Sequence, residues 1–272
     1  MKTKIIFITA ASRGFGRIWA EAALNQGHRV IATARNINDL KVLVDVHGDS
    51  VLPLALDVRN REQVFSTIET GNKHFGSLDV VLNVAGYSLY GAIEETSEEE
   101  ARAQLETNLL GPLWVTQAAL PIMRKQKSGH IIQVSSVGGV IAFPNLGLYH
   151  ASKWGLEAFS ETLSKEVHNF GIKVTIVEPG VFETSKGDKE AVPAKYIEAY
   201  DEMRAALYGQ FNSRKGDPFA TSALIMKVIE SDEPPLRVIL GDQSLPIIQA
   251  AYGHRMSLWE KWREESVAAQ GK

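Results

Sequence analysis

The sequence predicts an α/β fold: a doubly wound parallel sheet, built as a single domain with helices on both faces. Three observations carry that expectation. Short, continuously apolar runs recur at Ile5 to Thr9, Val30 to Ala34, Val51 to Leu56, Val80 to Asn83, Ile131 to Ser135 and Val174 to Val177. Such runs lack a regular polar alternation, so they read as strands buried on both faces. Between them lie segments with apolar residues near helical spacing: Arg17 to Gln26, Asn38 to Val46, Glu62 to His74, Glu98 to Lys125 and Ser152 to Asn169. Joints of the type Gly27-His28, Gly48-Asp49, Gly76-Ser77, Ser128-Gly129 and Gly171-Ile172 fall where each helix gives way to the next strand. Doubly buried strands joined by helices imply parallel order with right-handed crossovers.

After Pro179 the pattern loosens. Residues 185–216 read as an insertion, a substrate lid in which Tyr196, Tyr200, Met203 and Phe211 are candidate lining residues. Facing the chain's own core is an equal alternative for them. A helix to Ser231, a strand at Arg237 to Leu240 and a last helix complete the expected order.

Composition narrows the function classes. A net charge of -3 offers no basic excess for a phosphate backbone, so nucleic acid is not an expected partner. With no cysteine, the chain has no disulfide, thiolate metal site or cysteine nucleophile, and no metal is expected. Met1-Lys-Thr-Lys runs directly into Ile5-Ile-Phe-Ile8, and no segment reaches the roughly 18 to 20 apolar residues of a membrane span. The expectation is a cytoplasmic protein with no membrane association.

Chemistry begins after the first strand, at Thr9-Ala-Ala-Ser12-Arg13-Gly14-Phe15-Gly16. Glycines in a strand-to-helix turn let the backbone approach a pyrophosphate, and the N–H groups at the helix N-terminus attract its charge. A tight turn without ligand reads equally well from two glycines alone. The stretch resembles the T-G-x-x-x-G-x-G fingerprint of the short-chain dehydrogenase/reductase family, with Ala10 where the family has its first glycine. The resemblance implies a Rossmann-like fold and a dinucleotide held by Thr9, Ser12, Arg13, Gly14, Phe15 and Gly16.

At the end of the second strand, where a carboxylate would bind a ribose 2′-hydroxyl, stands Arg35. With Arg13 it supplies two planar guanidiniums for a 2′-phosphate, so NADP(H) is the expected cofactor. At roughly 1.5 to 3 kcal/mol for a charge-assisted bond, one such contact implies about tenfold or greater preference over NAD(H). Two solvated surface arginines are the alternative. Asp57-Val58 and Asn83-Val-Ala85-Gly86 resemble the family's adenine contact and N-N-A-G segment, and otherwise read as caps and turns.

Tyr149-His-Ala-Ser-Lys153, preceded by Ser136 and by Asn108, resembles the family's Asn-Ser-Tyr-Lys tetrad. The thirteen-residue serine-to-tyrosine spacing selects Ser136 over Ser135. Hydride delivery to a carbonyl leaves an alkoxide that needs a proton, and a tyrosine can supply it if its pKa, near 10, is brought down. Lys153, one helical turn on, favours the phenolate by on the order of two pKa units at most. The resemblance adds that Lys153 and Tyr149 also meet the cofactor, that Ser136 polarises the substrate oxygen and that Asn108 holds a water in a proton relay. A helix kink is the plainer reading of Asn108. His150 turns away from Tyr149 on a helix and is read as structural.

Pro179-Gly180-Val181-Phe-Glu-Thr184 resembles the P-G-x-x-x-T segment that approaches the nicotinamide; it also reads as a turn. The branch containing hydroxysteroid and retinol dehydrogenases is the most similar. The implied function is hydride transfer between NADP(H) and a small carbonyl or alcohol substrate. A non-catalytic NADP(H)-sensing regulator and a sugar-nucleotide epimerase are the rivals. Surplus apolar residues on Leu105 to Met123 and Leu148 to Phe170 suggest a homo-oligomer, dimer or tetramer, and Trp259 and Trp262 a further contact or a closure of the site.

Overall fold

The computed structural model describes residues 2–183, 195–211 and 215–271. Its strands are β1 (Ile5–Ile8), β2 (Arg29–Ala34), β3 (Val51–Ala55), β4 (Val80–Asn83), β5 (Gly129–Val134), β6 (Ile172–Pro179) and β7 (Arg237–Leu240). All pair in parallel, in the order β3-β2-β1-β4-β5-β6-β7. The order reverses between β1 and β4, and loops leaving the two strands in opposite directions open a crevice there.

The apolar runs alternate between two cores. Ile6 and Ile8 of β1 face one, Ile5 and Phe7 the other, and β4 and β5 divide likewise at Val80, Leu82 and Ile132 against Val81 and Ile131. This is why the runs are almost wholly apolar, and the polar residues within them, Thr33, Gln133 and Thr175, are buried and hydrogen-bonded. The helices are α1 (Gly14–Asn25), α2 (Lys41–His47), α3 (Arg61–Phe75), α4 (Glu98–Leu105), α5 (Gly111–Gln126), α6 (Gly147–Val167), α7 (Asp201–Phe211), α8 (Thr221–Glu230), α9 (Ser244–Lys261) and α10 (Arg263–Ala268). The first core packs under α1 and α8, through Trp19, Ile225 and Met226. Trp19 also donates its indole N–H to the buried Thr221 Oγ1 at 2.8 Å, tying α1 to α8. The second lies under α3, α5 and α6, through Ile68, Val115, Met123 and Leu163.

Three expectations change. The single helix expected over Glu98 to Lys125 is two helices joined by a π-turn at Glu106–Leu110. At the fourth of the five joints the left-handed residue is Lys127, with φ of 56°, rather than the glycine that follows. The segment after Asn38 begins as a 3₁₀ turn at Ile37–Leu40 before α2. Among the described residues no helix is long and apolar enough to cross a membrane.

Candidate active site

A cavity of about 500 Å³ lies over the C-terminal ends of β1, β2 and β4. Its floor is the turn from β1 into α1. Ala10 adopts φ of 54°, the left-handed region that the glycine of the family pattern occupies without strain. Its carbonyl lies so close to Gly16 that a Cβ on Gly16 would collide with it. Gly16 therefore does its work by letting the turn close, not by lining the cavity. No side chain caps α1, so its first amides point toward the cavity with the positive end of the helix dipole behind them.

Ser12, Arg13, Gly14, Phe15 and Arg35 line this cavity, as do Asp57, Val58, Ala85 and Gly86. Three residues from the first half of the chain that were expected at the cofactor do not line this cavity. Thr9 is buried, its hydroxyl accepting from the backbone N–H groups of Val84 and Ala85 at 2.8 and 2.9 Å, so it bolts β1 to the end of β4. Asn83 is buried on Gln133 at 3.0 Å. Gly16 is the third. Arg59 and Tyr87 line the cavity without having been singled out in the sequence. Arg59 turns back onto Asp57, its Nη2 at 2.6 Å from Oδ2, and its hydrogen bond holds the Asp57 carboxyl below the usual range. A cation two residues past the expected adenine contact was the available signal.

Ser136, two residues past the cavity-lining Val134, follows β5 and caps the next turn, its Oγ accepting from Gly138 N at 3.0 Å. Tyr149 and Lys153 stand one turn apart on α6, with Lys153 Nζ 6.0 Å from the Tyr149 ring centre. The phenol end of Tyr149 is deep, and burial pushes its pKa up; hydrogen bonding with Ser136 and Ser88 acts in the opposite direction. The Lys153 ammonium donates to the Val134 carbonyl at 2.7 Å, and burial lowers it to about 8. Ser88, in the loop after β4, carries no motif and escaped the sequence reading.

Asn108 is fully buried on the π-turn. Its Nδ2 donates to Tyr87 O at 2.9 Å and Ser152 Oγ at 3.2 Å, while its Oδ1 accepts from Tyr87 N at 3.1 Å. An amide so engaged positions the Tyr87 backbone. A Cβ on Gly86 would sit 3.2 Å from Asn108 Oδ1 and 3.5 Å from Lys153 Nζ, so both side chains flank that bare backbone. His150 is structural as read: its Nδ1 pairs with Gly138 O at 2.8 Å, and its Nε2 accepts from Phe143 N at 2.9 Å.

Pro179 ends β6 with its carbonyl 3.5 Å from Ser136 Oγ. Gly180 and Val181 line a second cavity of about 330 Å³ toward β7, beneath Phe182, which meets Phe15 edge-on at 5.5 Å. Thr184 and much of the expected lid lie outside the described residues, as does the Phe211 side chain. Tyr196 is exposed and its hydroxyl bonds Asp201, whereas Tyr200 donates to Glu94 at 2.8 Å. Neither lines the crevice. Arg204 bonds the buried Glu95, fastening the start of α7 to the turn before α4.

The chain matches the short chain dehydrogenase family over residues 4–193. Oxidoreductase BOA17 of Botryotinia fuckeliana (strain B05.10) is 42% identical over 273 residues, spanning 98% of this chain and 99% of its own. The 3-ketodihydrosphingosine reductase of Bacteroides thetaiotaomicron is 35% identical over 268 residues, 94% of this chain and 93% of its own. The crystal structure of a short-chain dehydrogenase from Streptomyces avermitilis superposes with a TM-score of 0.91 at 36% identity, covering 98% and 99% of the two chains. The chain therefore belongs to the short-chain dehydrogenase family, oxidoreductases that use nicotinamide cofactors.

Proposed function

We propose that this protein transfers a hydride between NADP(H) and a secondary alcohol or ketone, or an aldehyde, with Tyr149 as acid and base. The observation that carries the reading is the convergence of Ser136, Tyr149 and Lys153 beside Val134 and Gly86, residues of a crevice that also takes in an uncapped helix N-terminus. The arginines at Arg13 and Arg35 favour the phosphorylated dinucleotide, because guanidinium forks match phosphate oxygens. Similarity to a relative named for reducing a keto group favours a carbonyl substrate.

The nicotinamide supplies or accepts the hydride when bound. In reduction, Tyr149 donates its proton to the carbonyl oxygen as the carbon is reduced, and Ser136 orients that oxygen by a hydrogen bond. Burial keeps the phenol protonated at neutral pH, which is the state this direction needs. The phenolate left behind faces the Lys153 ammonium. Oxidation runs the same transfer backwards. Lys153 and Gly86 would meet the nicotinamide ribose, and Asn108 holds the loop that carries Gly86 and Tyr87.

Absorbance at 340 nm tests this, with NADPH or NADH and a panel of ketones, aldehydes and keto esters. NADPH consumption that disappears in Tyr149→Phe is the expected result. Tight NADPH binding without turnover of any substrate would transfer the reading to a cofactor-sensing regulator.

A further inference from the structure

Behind Lys153, away from the crevice, lies a charged cluster that the proposed reaction does not use. Glu157 follows Lys153 by one turn of α6 and is buried, as is Glu178 on β6. Arg237, at the start of β7, reaches between them: its Nε is 3.2 Å from Glu157 Oε2 and 3.4 Å from Glu178 Oε1. Its Nη2 meets Glu161 at 2.8 Å on the exposed side, where Lys165 also holds Glu161 at 2.9 Å. Ser135, the serine that the thirteen-residue spacing passed over, directly follows β5 beside Glu157, both facing Gly139; its hydroxyl and Arg237 act against the burial that pushes the Glu157 carboxyl up. The charged and titratable groups around the cluster are thus Tyr149, Lys153, Glu157, Glu161 and Lys165 on α6, Glu178 on β6 and Arg237 on β7.

A buried ammonium whose one protein hydrogen bond goes to a neutral carbonyl needs a counter-charge, or it gives up its proton. Tyr149, Lys153 and Glu157 lie at successive turns of one helix face, which places Glu157 as the neighbouring anion on the side away from the phenol. We propose that Glu157, anchored by Arg237, is a positioning residue that keeps Lys153 cationic and thereby sets the charge facing Tyr149. Glu178 competes with Glu157 for the same guanidinium. Consistent with that geometry, the charge of Glu157 raises Lys153 against its burial, while burial and Glu157 push Glu178 up to about 7.

The inference uses the Tyr149–Lys153 chemistry proposed above for its consequence only, so its test reads Lys153 directly. Protein labelled with ¹³C-lysine is titrated by NMR, with the Lys153 side-chain resonance assigned by its loss in Lys153→Arg. The expected midpoint near 8 falls in Glu157→Gln by about one to two pH units. Glu157→Asp, which keeps the charge one methylene further back, falls by less, and Glu178→Gln leaves Lys153 where it was. A Lys153 midpoint unmoved by Glu157→Gln overturns the proposal. So does an equal fall in Glu178→Gln, which would make the cluster's total charge the cause. If Glu157→Gln does not fold, Glu157→Asp decides: a fall supports the counter-charge, and an unmoved midpoint refutes it. With a turnover assay, the alkaline limb of kcat/KM moves down with the lysine. A lysine shift in a protein that turns over nothing sinks the reductase reading and leaves the counter-charge standing.

Discussion

At the β1–β2 end of the crevice the charges are hydrated. Arg35 is exposed, and Arg59 pairs with Asp57 at 2.6 Å with both side chains substantially open to solvent. At the β5–β6 end the charges are buried: Lys153, Glu157 and Glu178 lie beneath α6, and Arg237 is the group that opens to solvent. Both ends depend on electrostatics, with different physics. Hydrated charges are screened and nearly additive, so one can be removed at modest cost; buried charges hold one another's protonation states, and changing one changes the rest.

The sharpest way to break that contrast is Tyr149→Phe. It is expected to lower kcat by about 10²- to 10⁴-fold while NADPH affinity, read by fluorescence titration, changes little. A large loss of affinity would mean that the two ends are not separable.

The next effect concerns a buried group whose charged neighbours, Lys173 and Lys4, are cations that add to the effect of burial. His130 of β5 lies against Thr175 Oγ1 at 2.9 Å, and Thr175 gives its own hydrogen to Pro235 O at 2.9 Å. His130 is therefore the donor at Nε2, and its buried Nδ1 has no partner. Burial lowers its pKa from 6.5 to about 3. Below 6.5 the unfolded chain takes up a proton that the folded one refuses, so stability falls as pH drops from 6.5 toward 3. The span amounts to at most about 4 to 5 kcal/mol. Denaturant titrations across that window should show the slope, and His130→Gln should flatten it; an unchanged slope would place the acid sensitivity elsewhere.

Smaller effects belong to the hydrated end. Arg13→Ala and Arg35→Ala should each raise the KM for NADPH about tenfold, leave that for NADH nearly unchanged and lose part of their effect in high salt. Equal losses for both cofactors would remove the two-arginine argument for NADP(H). Smallest is Ala10→Gly. Relief of a left-handed alanine, about 1 to 2 kcal/mol, is offset by the freer unfolded chain, leaving up to about 1 kcal/mol of stabilisation in thermal melts.

The sheet was legible because its central strands are buried on both faces, which writes largely apolar runs into the chain, whereas the edge strands β3 and β7 are only partly buried. Ser136, Tyr149 and Lys153 were legible because a strand end and a helix turn fix their spacing locally. What stayed hidden depends on contacts between distant elements. Ser88 meets Tyr149 from a loop 61 positions earlier, and Arg237 joins Glu157 across 80 positions. Thr9 and Asn83 match a pattern, yet their side chains serve neighbouring strands, a distinction that only packing reveals. The left-handed turn at Ala10 was invisible for a different reason: alanine there is a strained choice, and propensity points away from it.

The π-turn at Glu106–Leu110 amounts to one residue more than an ordinary helix would place between α4 and α5. An inserted residue advances everything after it by about 100° around the axis. The bulge absorbs that advance in a single turn, so α4 keeps its own face while α5 keeps Val115, Ala119 and Met123 on the core. Deleting one residue there would not merely shorten the helix. It would force a choice of phase: either Asn108 leaves Tyr87, or the apolar stripe of α5 leaves the sheet.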